Sequence, residues 1–282
     1  MTRVPETVNS VVVSGVTVSA VFLGGHIGYD IQISHPGATA ADYLKAMERA
    51  ITELPLHRER APERSVCQGC DLCCRERLPL TSIDVLRLMK AMGIEDLYSF
   101  LKRYAWVAVR GRVVDISMLR QEGACCLLDA ERRLCRWYGV RPLACQTFIC
   151  CPHTERALLL REAIINQGED ELVRWWLAEA VQRGIAPLVH EGEAMMAADG
   201  MLGAAGGSRR SAGRRGTAKT RRAAGTAERD SSAEAAEAEA VSPFAGRSSY
   251  EEVLLREVCS SALWQALARR GAQLPQRPRR GR

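Results

Sequence analysis

The chain has 282 residues, enough for one large domain or two small ones, and its 47% apolar content suits a globular core although only 5% of residues are aromatic. Its formal charge of +6 sits in two stretches: Arg209, Arg210, Arg214, Arg215, Lys219, Arg221 and Arg222, then Arg269, Arg270, Arg277, Arg279, Arg280 and Arg282. Without those thirteen cations the remainder is −7, so the part expected to fold carries no basic footprint for nucleic acid.

Residues 7–29 lack Asp, Glu, Lys and Arg, as a secretory leader would. Ser, Thr and Gly interrupt them, however, residues 16–19 alternate with period two, and Glu6 weakens the positive flank that a leader needs. Strands are the expected reading, over 9–14, 16–23 and 28–34, with turns at Gly15 and Gly24-Gly25. No other run approaches the ~18–20 apolar residues of a membrane helix. A cytoplasmic setting is expected, where thiols stay reduced. Thr39 and Asp42 have capping-box spacing for a helix over 40–54, with Tyr43, Leu44, Met47, Ala50 and Ile51 on one face and Pro55 as its stop.

Thr81 and Asp84 repeat that spacing and open a helix that buries Val85, Leu86, Leu88, Met89 and Met92 and ends at Gly93. A short helix is expected over 95–104. Residues 154–183 are helical in pattern, with a break expected at Gln167-Gly168 and an end at Gly184; Trp175 and Trp176 are assigned to packing. From 203 to about 241 no large apolar residue occurs, so disorder is expected there. Ser249 and Glu252 then open an amphipathic helix to about residue 270, facing either the domain or a protein partner. The predicted class is α+β: a small, mainly helical cysteine-rich domain (62–153) between a strand-rich segment with one helix (1–58) and a helical extension (154–202). A linker (203–247), a helix (248–271) and a basic tail (272–282) complete the chain.

Ten of the eleven cysteines lie between Cys67 and Cys151; Cys259 stands alone. The first group is Cys67, Cys70, Cys73 and Cys74; the second is Cys125, Cys126, Cys135, Cys145, Cys150 and Cys151. Two intervening residues let both sulfurs of a pair turn toward one centre, and Gly69 eases the first such loop. Two such spacings in tandem suit three ligands of an iron–sulfur cubane. Four thiolates suffice for zinc, so ten clustered cysteines could close two zinc sites. Adjacent cysteines point in different directions, so each pair serves two centres or leaves one thiol spare. His153 is read as a surface residue. No GxGxxG, Walker loop, HExxH or radical-type C-x3-C-x2-C spacing occurs.

The segments CQGCDLCC, LPLTSIDVLRLMKAMGI and CCLLDAERRLCRWYGVRPLACQTF resemble the CxxCxxCC family of YkgJ-like proteins, over about residues 66–151. Those proteins are described as zinc- or iron-chelating or as containing Fe–S clusters. The resemblance rests on Cys67, Cys70, Cys73 and Cys74, then on Cys125, Leu128, Cys135, Tyr138, Arg141, Pro142 and Cys145. It implies that Cys67, Cys70, Cys73, Cys74, Cys125, Cys135 and Cys145 hold iron (as an Fe–S cluster) or zinc. Cys126, Cys150 and Cys151 are possible additional ligands. Arg141 is expected to offset thiolate charge, Tyr138 to pack beside it, and Pro142 to hold the approach to Cys145 extended. Asp71, where the family has glycine, implies a less tight loop, and Gln146 replaces an arginine. Some flagellin lysine methylases carry a similar element, which leaves a cluster-dependent protein-modifying or redox enzyme open beside simple chelation. A zinc-stapled adaptor is the third possibility.

Overall fold

The alternation of Val11, Val16, Val18, Ile31 and Ile33 with exposed residues builds a three-stranded antiparallel sheet: β1 (Ser10–Val13), β2 (Val16–Leu23) and β3 (His26–Ile33). The structure is a computed structural model that describes residues 10–64, 69–147, 150–190 and 241–269. The linker up to residue 240, the basic tail and Cys67 therefore lie outside the described residues. Strand β3 begins two residues before its expected start, because Leu23 pairs with His26 across a two-residue turn. Gly24 and Gly25 both take positive φ there (57° and 92°), as a tight hairpin turn of this hand requires.

Helix α1 (Ala40–Glu53) lies against β1 and β2 and buries Tyr43, Leu44, Met47 and Ala50. Its box is formed: Asp42 N–H donates to Thr39 Oγ1 at 3.2 Å, and Thr39 N–H to Asp42 Oδ2 at 2.9 Å. The second box opens α2 (Ser82–Met92), which ends at Gly93 with φ 66°. Asp96 caps α3 (Leu97–Tyr104), so that helix starts two residues later than expected.

A hairpin of β4 (Ala105–Arg110) and β5 (Val113–Met118) follows, with Val107, Ile116 and Met118 turned inward. Two smaller hairpins come next: β6 (Arg120–Gln121) with β7 (Ala124–Cys125), and β8 (Leu128–Asp129) with β9 (Leu134–Cys135). Helices hold 42% and strands 22% of the described residues. The class is α+β, and the cysteine domain carries these hairpins beside its helices; their strands are too short to show a period in the sequence.

Helix α4 (Leu143–Thr147) is a single turn, and α5 (Glu155–Arg183) runs unbroken through Gly168 to Gly184. The break expected at Gln167-Gly168 is absent because this glycine serves an approach between helices. A Cβ on it would stand 2.6 Å from Thr81 Cβ and Cγ2 and 3.0 Å from Phe244 Cε1. Helix α5 joins two apolar cores. Ala157, Leu160 and Ile164 belong to one with the first sheet, α1 and the C-terminal segment; Leu172 and Trp176 belong to the other with α3, β4 and β5.

The C-terminal segment is two short helices, α6 (Leu255–Val258) and α7 (Ser261–Ala268), instead of one long helix. Glu252 accepts the Ser248 and Ser249 N–H groups at 2.8 and 3.1 Å, so the spacing read as a helix start closes a turn. The segment docks on its own chain. Ala40 N–H donates to Val253 O at 2.9 Å and Ala41 N–H to Tyr250 O at 3.0 Å, which satisfies donors that the first turn of α1 leaves free. The apolar face expected to serve a docking surface is therefore occupied: Leu255, Val258, Leu263 and Leu267 are buried in the first core. Phe244, within the expected linker, is also fully buried. Among the described residues no helix is long and apolar enough to cross a membrane.

Candidate metal centre

Gly69 takes φ +75°, where glycine is favoured, and Arg64 donates to its carbonyl at 2.9 Å. A 3-10 turn over Leu72–Arg75 then carries Cys73 and Cys74. Asp71 heads this turn at φ −105°, a conformation that needs no glycine. Its carboxylate, 8% exposed, accepts Arg133 Nε at 3.0 Å, a second Arg133 donor, and Arg75 at 3.4 Å. The Arg133 bonds hold Asp71 below the usual carboxylate range. Arg133 lies between β8 and β9 at φ 52°, so this contact ties the first cysteine element to the hairpin bearing Cys135.

Cys125 ends β7, and Cys135 ends β9 opposite Leu128. Arg141 is extended (φ −52°, ψ 143°), as the residue before a proline must be. Pro142 immediately precedes α4, and its carbonyl accepts the Cys145 N–H at 2.9 Å. Arg141 stacks 3.7 Å above the Tyr138 ring and donates from Nε to the Tyr138 carbonyl at 3.1 Å. Gln146 donates to the Arg141 carbonyl at 2.6 Å.

These elements enclose a cavity of about 60 Å³ with Cys70, Cys73, Cys74, Cys125, Cys135 and Cys145 in its wall. Tyr138, Arg141 and Pro142 line it too, and Leu78, Met118 and Leu127 make it largely apolar. Cys145 is half-buried; desolvation raises its thiol well above the ordinary value, and Cys125, Cys73, Asp84 and Cys135 add to the shift. Burial also raises Cys135. Cys73 is raised first by its hydrogen bond with Cys74, and Cys125 first by its bond with Cys126. The Arg141 charge pulls the other way on both Cys73 and Cys135. Four thiols thus feel one another, and a low-dielectric wall lets few ionise without a compensating cation. Among the described residues no three Cys, His, Asp or Glu side chains converge closely enough to enclose a metal ion, so the thiols line a cavity rather than a closed cage. The donor set is all sulfur, which fits zinc or iron.

The three additional candidates are elsewhere. Cys126 opens onto an outer cleft of about 770 Å³ with Arg75, Glu122, Arg133 and Arg136; this cleft shares Cys125, Leu128 and Arg133 with the thiol cavity. Cys150 is absent from the cavity wall, and its carbonyl accepts Glu59 N–H at 2.7 Å. Cys151 is buried in the first core and borders a separate cleft with His26, Glu59 and His153. Burial pushes the Cys259 thiol up to about 12.

Sequence reading missed one group. Asp84 is fully buried and does more than cap α2: its Oδ1 accepts Leu143 N–H at 2.8 Å and Tyr250 O–H at 2.7 Å. The T-x-x-D spacing was visible; its reach to α4, 59 residues away, was not.

No curated protein and no solved structure is similar to the chain at a significant level. Residues 66–166 match the profile of a family described as "CxxCxxCC: Putative zinc- or iron-chelating domain".

Proposed function

We propose that the domain chelates iron or zinc through Cys73, Cys125, Cys135 and Cys145, with Cys70 and Cys74 beside them. Cys67 completes the first element from outside the described residues. The observation that carries this reading is the shared cavity, where burial and mutual repulsion suppress ionisation of all four thiols. A bound cation supplies the charge that makes their thiolate forms favourable. Arg141, held over Tyr138, lowers the cost of ionising Cys73 and Cys135 and leaves the sulfurs free to act as ligands.

Iron, as an Fe–S cluster, is the first choice because Cys67, Cys70 and Cys73 have the tandem spacing of a cubane. Zinc is the second, favoured by four mutually coupled thiols, the number a tetrahedral site takes. Two apolar cores already hold the fold, which argues against a metal acting only as a staple. The outer cleft meeting Cys125 favours access to the centre and keeps a cluster-dependent redox or protein-modifying reaction in view.

Anaerobic purification with iron, zinc and acid-labile sulfide analysis tests the proposal. Iron with sulfide and absorbance near ~400 nm supports the cluster; zinc without sulfide supports the second reading. A protein with neither metal and ten reactive thiols in this region refutes both.

A further inference from the structure

Helix α4 has only five residues, so whatever fixes its first N–H also fixes Cys145, two residues on. That N–H, on Leu143, donates to Asp84 Oδ1 at 2.8 Å. The same oxygen accepts Tyr250 O–H at 2.7 Å, and Asp84 Oδ2 accepts Thr81 N–H at 3.1 Å. Thr81 Oγ1 stands 2.6 Å from the Tyr250 oxygen and accepts Asp84 N–H at 3.1 Å. Thr81, Asp84 and Tyr250 are 0, 1 and 3% exposed, so water cannot replace any of these bonds without opening the core.

Tyr250 reaches this point from the C-terminal segment, 166 residues beyond Asp84. Its ring meets Phe244 edge-on at 6.5 Å, and Arg87 lies 5.8 Å over it. Its own carbonyl accepts from Ala41 at the start of α1. The C-terminal segment thus touches the helix that carries a thiol of the cavity through one carboxylate.

We infer that Asp84 and Tyr250 are positioning residues for Cys145, and that docking of the 242–269 segment sets how tightly the thiol centre holds its metal. The inference rests on the chelation reading for its metal arm and stands on geometry for its thiol arm. Without the Tyr250 hydroxyl, Asp84 Oδ1 keeps only the Leu143 N–H as donor, so the bond that fixes the start of α4 loses the group that holds its acceptor in place.

The test uses the full chain with Tyr250→Phe and Asp84→Asn. Zn2+ affinity is read by competition with a chromophoric chelator, and alkylation rates of Cys145 and Cys151 are read by mass spectrometry on metal-free protein. Groups that orient ligands are worth about 10- to 100-fold in metal affinity, so Tyr250→Phe is expected to weaken Zn2+ binding about tenfold. Cys145 is expected to react faster while Cys151, buried in the first core outside the C-terminal segment, keeps its rate. Equal acceleration of both thiols would mean general loosening and overturns the inference, as do unchanged rates with unchanged affinity. If the wild-type chain takes up no Zn2+ yet Cys145 alone is released, chelation fails and the positioning role stands. Tyr250→Phe removes a single oxygen, so it decides the matter even if Asp84→Asn does not fold.

Discussion

Glu169 offers a quantitative test of the packing between α5 and β5. Its Oε1 accepts Ile116 N–H at 3.1 Å, and Arg77 stands 3.8 Å away while pairing with Asp115 at 2.5 Å. Burial raises its carboxyl from 4.5 to about 7; the Ile116 bond and Arg77 oppose this, and Asp115 and Asp170 add to it. A carboxyl whose folded-state value lies above its unfolded value favours the native state when protonated. Its contribution is complete below about pH 4.5 and is lost as pH rises to about 7. The shift corresponds to about 3 kcal/mol, and the side chain is 15% exposed, so solvent screening removes little of it. Glu169→Gln keeps an acceptor for Ile116 and abolishes the titration. Urea denaturation followed by circular dichroism, in reductant and in one metal state, is expected to give near-equal stabilities at about pH 4.5. At pH 8 the variant is expected to be more stable by about 2–3 kcal/mol. A difference that does not change between those pH values would refute the reasoning.

Two further substitutions probe the fold. Gly168→Ala would gain about 1 kcal/mol in an open helix, but here its Cβ meets Thr81 at 2.6 Å, and overpacking costs about 1–3 kcal/mol. A net loss of stability in urea is expected, and a gain would show that α5 and α2 can separate freely. Arg156, 5% exposed, pairs with Asp30 and donates to the Ala266 and Arg269 carbonyls at 2.8 and 2.6 Å. Arg156→Met leaves Asp30 with Thr154 as its remaining side-chain donor at 2.6 Å, and a loss of about 3 kcal/mol is expected by the same assay. A loss under ~1 kcal/mol would mean that the pair contributes little beyond surface ion pairs.

Local chemistry made much of the chain legible. Thr39 with Asp42 and Thr81 with Asp84 announce helix starts because hydroxyl and carboxylate must reach backbone donors three residues away. The first sheet was legible because alternation of valines survives in strands of eight residues. The hairpins carrying Cys125 and Cys135 have two-residue strands, too short to show any period. The Ser249–Glu252 spacing misled because a carboxylate accepting two serine N–H groups closes a turn as well as it starts a helix.

The same division holds at the candidate centre. Sequence alone singled out the cysteines, since soft donors at short spacing have few other uses, and the family resemblance added Tyr138, Arg141 and Pro142. Only tertiary structure decided which thiols share a cavity, setting Cys70, Cys73, Cys74, Cys125, Cys135 and Cys145 apart from Cys126, Cys150 and Cys151. It alone showed Asp71 bound to Arg133 and Asp84 bound to Leu143 and Tyr250. Those contacts span 62, 59 and 166 residues, and nothing in a local pattern specifies which distant donor a buried carboxylate will meet. That choice is made when the apolar cores close and each buried charge must find its partners without water.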